Sequence, residues 1–282
     1  MQSLAAPPAA VTPAGRICSA ALPLAHRFTA RMDDDAPPIL LVHGLFGSLS
    51  APLVLDAFGA RRTLAPDLLG YGALGHEDLS GLRLEDQADH LAGVLDDESV
   101  ERADVVGHSV GGAVAVLLAT RHPDRVRALV SVEGNLTPPD AFWSAELAGR
   151  SLDEIELMVD DHRRDVAGWI AGAGVAPTPE RVRVAADWLG NQSATTLRAQ
   201  ARAVVEATGR EDYLDDLRAA LEDGLALHLV AGERSRDGWH VPADVESAAR
   251  SSTLMPGCGH LTMLESPDGF AAAVTGAIDA SA

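Results

Sequence analysis

Short apolar runs recur along this chain, each stopping at a small or polar residue, and helix-patterned stretches separate most of them. Ile39-Leu40-Leu41-Val42 ends at His43-Gly44, Arg62-Thr63-Leu64-Ala65 at Pro66-Asp67, and Ala103-Asp104-Val105-Val106 at Gly107. Ala128-Leu129-Val130-Ser131-Val132 ends at Glu133-Gly134, Leu225 to Val230 runs into Ala231-Gly232-Glu233, and Ser252-Thr253-Leu254-Met255 precedes Pro256-Gly257. Runs this short, with little polar alternation, suit strands buried on both faces, as in parallel sheets. The helical patterns Leu84 to Leu95, Gly112 to Arg121 and Asp268 to Ile278 supply the crossovers such a sheet requires. The pattern predicts an α/β architecture with a mostly parallel central sheet flanked by helices. In such sheets loops and helix N-termini gather at the strands' carboxyl ends, and every polar motif below falls at such an end.

The rhythm fails between Thr137 and Asp223. No convincing strand occurs there, and helical segments are split by Gly149, Gly172, Pro177-Thr178-Pro179, Gly190 and Gly209. A structureless loop of that length is implausible in a compact domain, and amphipathic patterns over Leu152 to Ile170 and Ala194 to Ala207 argue for helices. The expected division is a core of residues 1–136 and 224–282 with a helical lid at 137–223.

Gly107-His108-Ser109-Val110-Gly111 fits G-x-S-x-G, with a strand before it and Gly112-Ala113 and an apolar helical run after it. A serine forced into a strained strand-to-helix turn needs small neighbours, and the following helix directs its N-terminal dipole at a developing oxyanion. With both flanks present, the segment resembles the nucleophile elbow of the α/β-hydrolase superfamily, a resemblance that extends from about Ile39 to Ala273. His43-Gly44-Leu45-Phe46-Gly47-Ser48 resembles the family's oxyanion loop, and Pro66-Asp67-Leu68-Leu69-Gly70-Tyr71-Gly72 resembles the segment after the next strand. Gly257-Cys258-Gly259-His260, continuing into Glu265-Ser266-Pro267, resembles the histidine loop. The resemblance implies an α/β-hydrolase fold with the lid inserted between the sixth and seventh strands.

Each motif has a chemical task. A serine hydroxyl is too weak an acid to attack a carbonyl unaided, so a neutral imidazole must take its proton and later return it to the leaving group. Ser109 is the expected nucleophile and His260 the expected base. Two rigid backbone donors must meet the oxyanion; Val110 and Leu45 are expected to supply them, with Phe46 as the alternative to Leu45. The carboxylate that orients the imidazole has two candidates. The family's usual place follows the strand Leu225 to Val230, but there this chain reads Gly232-Glu233-Arg234-Ser235, leaving Asp237 two residues on. Glu133, closing the preceding strand before Gly134, is the favoured acid, and Asn135 is expected to support its turn. His43 and His108 flank the pocket in mainly structural roles, and His76 reads as a solvated side chain. Trp143, Trp169 and Trp188 in the lid and Trp239 beyond the last-but-one strand are candidate pocket walls.

Serine at 109 disfavours the branches of the superfamily that use aspartate there, the haloalkane dehalogenases and epoxide hydrolases. The expected activity is cleavage of an ester or thioester of a hydrophobic acyl group through an acyl-enzyme, without metal or cofactor. Carbon–carbon hydrolysis or perhydrolysis on the same triad is the alternative within the fold, and a non-catalytic ligand receptor the alternative of another class. The chain has 41 acidic and 22 basic residues, all arginine, for a formal charge of -19. Such a field argues against nucleic-acid or anionic-membrane partners. The lysine-free, alanine-rich composition resembles proteins of high-GC bacteria, which raises a discrete thioesterase of secondary metabolism, with an acyl carrier protein as a partner. Cys18 and Cys258 show no metal-ligand spacing, and Met1 to Gly15 lacks a secretory pattern, so a cytoplasmic location is expected.

Overall fold

The computed structural model describes residues 36–280. Six strands form one sheet: β1 (Ile39–Val42), β2 (Thr63–Leu64), β3 (Ala103–His108), β4 (Val126–Val132), β5 (Ala226–Gly232) and β6 (Ser251–Met255). Their order is β2-β1-β3-β4-β5-β6, and every pairing is parallel. The pleat sends successive side chains to opposite faces. Leu40, Val42, Val105, Leu129, Leu227 and Leu229 accordingly join one buried cluster, whereas Ile39, Leu41, Val106, Val130 and Val230 join the other. Both clusters are closed by helices, which is why the strands read as unbroken apolar runs. Only β6 mixes exposed and half-buried positions, as an edge strand does.

Helices α1 (Leu84–Asp97) and α2 (Val110–Arg121) cover one face, and Phe58 meets Phe270 of a later helix edge-on over the other, at 5.9 Å between ring centroids. Between β4 and β5 lie α3 (Phe142–Gly149), α4 (Leu152–Arg164), α5 (Val166–Gly172), α6 (Pro179–Gly190), α7 (Ala194–Thr208) and α8 (Glu211–Glu222); α9 (Pro267–Asp279) closes the core. Among the described strands the helical segment lies between the fourth and the fifth, not between a sixth and a seventh. The pattern read as continuous over Leu152 to Ile170 is two helices. The break falls at Asp165, whose backbone leaves the helical region (φ -137°, ψ 70°) while its carboxylate caps α5 by accepting from Gly168 N.

Two expectations concern residues outside the description, the 1–15 leader and Cys18; Cys258 is buried. Among the described residues no helix is long and apolar enough to cross a membrane.

Candidate active site

Register alone brings the polar strand ends together. His108 is level with Val132 across β3 and β4, Val132 with Val230 across β4 and β5, and Gly232 with Met255 across β5 and β6. Ser109, Glu133, Ser235 and His260 thus belong to four neighbouring strand ends, distant as they are along the chain.

Ser109 sits at φ 55°, ψ -123°, a left-handed conformation that only its surroundings hold. Its N–H donates to Val132 O, and its carbonyl accepts from Gly112 N and Asn135 N. Small neighbours are a steric necessity. A Cβ on Gly107 would lie 2.4 Å from Gly111 O, one on Gly111 2.3 Å from Val42 O, and one on Gly112 2.3 Å from Gly134 Cα. Glu133 is also left-handed, at φ 45°. Its N–H donates to Val230 O, and the turn that follows is fastened by Trp239 Nε1 donating to Gly134 O at 2.7 Å.

The Glu133 carboxylate divides its oxygens. Oε2 accepts from His260 Nδ1 at 2.8 Å; Oε1 accepts from Gly232 N at 2.8 Å and from the Ser235 hydroxyl at 2.6 Å. Burial opposes ionisation of Glu133, but the contacts from His260, Ser235 and Gly232 outweigh it and hold the carboxyl below its ordinary value. A carboxylate can only accept, so His260 Nδ1 carries a hydrogen, and in the neutral ring Nε2 then keeps its lone pair. Such an imidazole can take a proton and, once charged, be stabilised by Glu133.

Asp237 takes no part: it lies exposed in a single-turn helix, Arg236–Gly238, and does not line the cavity. The chain places a serine, not a bulged aspartate, against the acid. A serine cannot bear charge there, and Ser235 contributes a donor instead. A second support is equally silent in the sequence. Glu265 accepts from Gly259 N at 2.7 Å and pairs with Arg234, whose Nε donates to Gly257 O at 2.9 Å, so one ion pair fastens both glycines of the histidine loop.

Ser109, Glu133 and His260 open on one cavity of about 480 Å³. Leu45, Phe46 and Val110 line it too, and none of their N–H groups is taken by an acceptor among the described residues. The Leu45 peptide is anchored by Tyr71 Oη donating to its carbonyl at 2.9 Å. The walls include Trp143, Trp169, Trp188 and Trp239; Phe46 stacks on Trp143 at 4.9 Å and tilts against Trp169 at 6.0 Å. His108 lines the cavity and donates from Nε2 to His260 O at 2.9 Å. Burial, helped by the nearby His260, pushes its pKa down to about 3, so it stays neutral. His43 does not reach the cavity. Its ring packs edge-on against Tyr71, Nδ1 donates to Gly44 O, and Nε2 accepts from Leu68 N, so it braces the loop after β1 from behind. His76 is exposed beside Glu77. Among the described residues no three His, Cys, Asp or Glu side chains are grouped to hold a metal ion.

The model of the alpha/beta hydrolase family matches residues 39–273. The chain belongs to that family. The chain is 40% identical over 98 residues to the 2-hydroxymuconate semialdehyde hydrolase of a Pseudomonas species, covering 33% of this chain and 35% of the relative. It is 36% identical over 120 residues to the 2-hydroxy-6-oxo-2,4-heptadienoate hydrolase of Pseudomonas putida, covering 39% and 44%. The aligned chain thus spans less than half the length of these relatives. Among solved structures, MenH from S. aureus superposes with a TM-score of 0.71 at 17% identity, over 91% of this chain and 98% of that one, a likeness of fold.

Proposed function

We propose that this hydrolase cleaves esters or thioesters of hydrophobic acyl groups through a covalent acyl-enzyme on Ser109. One observation carries the reading: an imidazole oriented by a buried carboxylate, at 2.8 Å, shares an aromatic-walled cavity with a serine in the strained elbow conformation. His260 Nε2 takes the hydroxyl proton as Ser109 Oγ bonds to the acyl carbon, and the carbonyl electrons move onto oxygen, facing the N–H groups of Val110 and Leu45. Collapse breaks the bond to the leaving oxygen or sulfur, which receives the proton from His260. Water, deprotonated by the same nitrogen, then repeats the sequence and releases the acid. The helices from α3 onward act as the lid, and their tryptophans exclude water during acylation.

Carbon–carbon hydrolysis is the second reading, favoured by the two Pseudomonas relatives. The substrates in their names are carboxylates, whose charge asks for a cationic partner. Among the described residues lining the cavity, the one lysine or arginine is Arg234, already bound to Glu265 and to the carbonyls of Gly174 and Gly257. That engagement favours uncharged acyl groups.

A fluorophosphonate should label the wild type and leave Ser109→Ala unlabelled, and Ser109→Ala should lose at least about 10³-fold in turnover of medium-chain thioesters or oxygen esters. Folded wild type that resists the probe would point instead to a ligand-binding module. Labelling combined with hydrolysis of dienol carboxylates, and inertness to esters, would select the carbon–carbon reading.

A further inference from the structure

Two buried amide or hydroxyl side chains that line the aromatic cavity, Asn135 and Ser144, have no partner among the described residues. Asn135 is 3% exposed, and its backbone is fully engaged: N–H donates to Ser109 O at 3.0 Å, and C=O accepts from Tyr213 Oη at 2.8 Å. Its carboxamide bonds to no described residue. Asn135 nevertheless lines the cavity, and the carboxamide is not among the side-chain atoms sealed from solvent without a partner. The amide therefore opens on the cavity itself. Ser144, in the first turn of α3, repeats the pattern: 3% exposed, lining the same space, with a hydroxyl that bonds to no described residue. Buried amides and hydroxyls are almost always hydrogen-bonded, because leaving them unpaired forfeits their hydration. Two of them facing one cavity point to a ligand group that completes them.

The chemistry of that group is bounded by its surroundings. Asp140, also at the cavity, already accepts from the N–H groups of Leu136, Thr137 and His240, and Arg234 is held by Glu265. Neither charge is free to recognise an ion. A carboxamide and a hydroxyl both donate and accept, so they suit a hydroxyl or a ketone rather than a carboxylate or an ammonium. A charged carrier is too large and too hydrated for about 480 Å³ of aromatic-walled space, so the enclosed part of the substrate is its acyl chain.

We propose that Asn135, assisted by Ser144, forms a polar subsite that selects acyl chains bearing a neutral hydroxyl or keto group over unsubstituted ones. The proposal rests on the ester or thioester reading and adds to it a substrate class. Selectivity follows because a plain chain would seal both groups away from water without partners, whereas an oxygenated chain satisfies them.

The test is a panel of N-acetylcysteamine thioesters of one medium chain length, unsubstituted or with a single hydroxyl or keto group at successive carbons. For the wild type, kcat/KM for at least one oxygenated member should exceed that of the plain chain by about tenfold or more. In Asn135→Leu, close in volume but without an amide, the ratio should fall to near one. The readout is a ratio within each protein, so a general loss of activity cancels. Ser144→Ala should reduce the same ratio about threefold or more, and it decides the matter should Asn135→Leu fail to fold. A fluorophosphonate-reactive wild type with no preference anywhere on the panel overturns the subsite alone, as does a preference that survives both substitutions. A wild type that neither reacts with the probe nor hydrolyses any thioester overturns the serine-hydrolase reading, and the subsite with it.

Discussion

Glu133 works through two oxygens with separate duties, one holding the imidazole and the other held by Gly232 and Ser235. Glu133→Gln keeps the shape but removes the charge and offers His260 an amide that can impose the wrong tautomer, so kcat should fall by about 10³ to 10⁴. Asp237→Asn, exposed and outside the cavity, should stay within about twofold. Ser235→Ala removes one charge-assisted donor from the carboxylate and should cost about tenfold in kcat, or about 1.4 kcal/mol, with KM little changed. Steady-state kinetics on the three variants checks the order, and a larger loss for Asp237→Asn than for Glu133→Gln would reject the assignment. Much of this was open to a reader of the sequence. An acid at a strand end before glycine, and a histidine in a glycine loop after the last strand, are local patterns. Ser235 was not visible, because a hydroxyl donor has no signature until pairing of β4 with β5 sets it against the acid. The Arg234–Glu265 ion pair was hidden for the same reason.

At the level of elements, α6 and the loop after β1 are fastened to each other. Asn191, just after α6, donates from Nδ2 to Gly47 O at 3.1 Å and to Asp67 Oδ1 at 3.2 Å, and its own carbonyl accepts from Gly72 N at 2.7 Å. Trp188 of α6 lies beneath Gly47 so closely that a Cβ there would stand 3.0 Å from the indole, at a φ of +115° that side chains rarely adopt. Gly47→Ala should therefore cost about 1–3 kcal/mol in stability, a drop of several degrees in Tm. It should also lower kcat about 10- to 100-fold by displacing the Leu45 amide. Gly59→Ala separates the two effects: its φ of +61° is equally unfavourable, but a Cβ there meets nothing, so Tm should fall while kcat holds. Equal kcat in the two variants would mean that α6 does not set the loop. The helices between β4 and β5 were legible because amphipathic periodicity is local. The turn at Asp165 and the seat of Trp188 under Gly47 were not, because both depend on where the helices pack.

For the whole molecule, the site imposes a dependence of stability on acid. His108 and His43 are buried with pKa values lowered chiefly by desolvation, and Glu133 is lowered by its partners against the effect of burial. In all three the unfolded chain binds protons that the folded protein refuses. Stability must therefore rise with pH through the window between the folded and unfolded values, and fall on acidification. For His108 that window runs from the ordinary 6.5 down to about 3. Near pH 5 the unfolded chain holds about one more proton at this position, a slope of about 1.4 kcal/mol per pH unit. Acid also reduces the self-repulsion of a chain with a formal charge of -19, which acts in the opposite direction and would mask the slope in the wild type alone. Comparison with His108→Asn removes that ambiguity, since both proteins share the same field of carboxylates. Urea unfolding between pH 4 and pH 6 should show the wild type losing stability faster than the variant by about 1.4 kcal/mol for each unit of acidification, whatever constant offset the substitution introduces. Parallel lines would mean that His108 is hydrated or already protonated in the folded state. The neutral ring donating to the His260 carbonyl would then have to be abandoned.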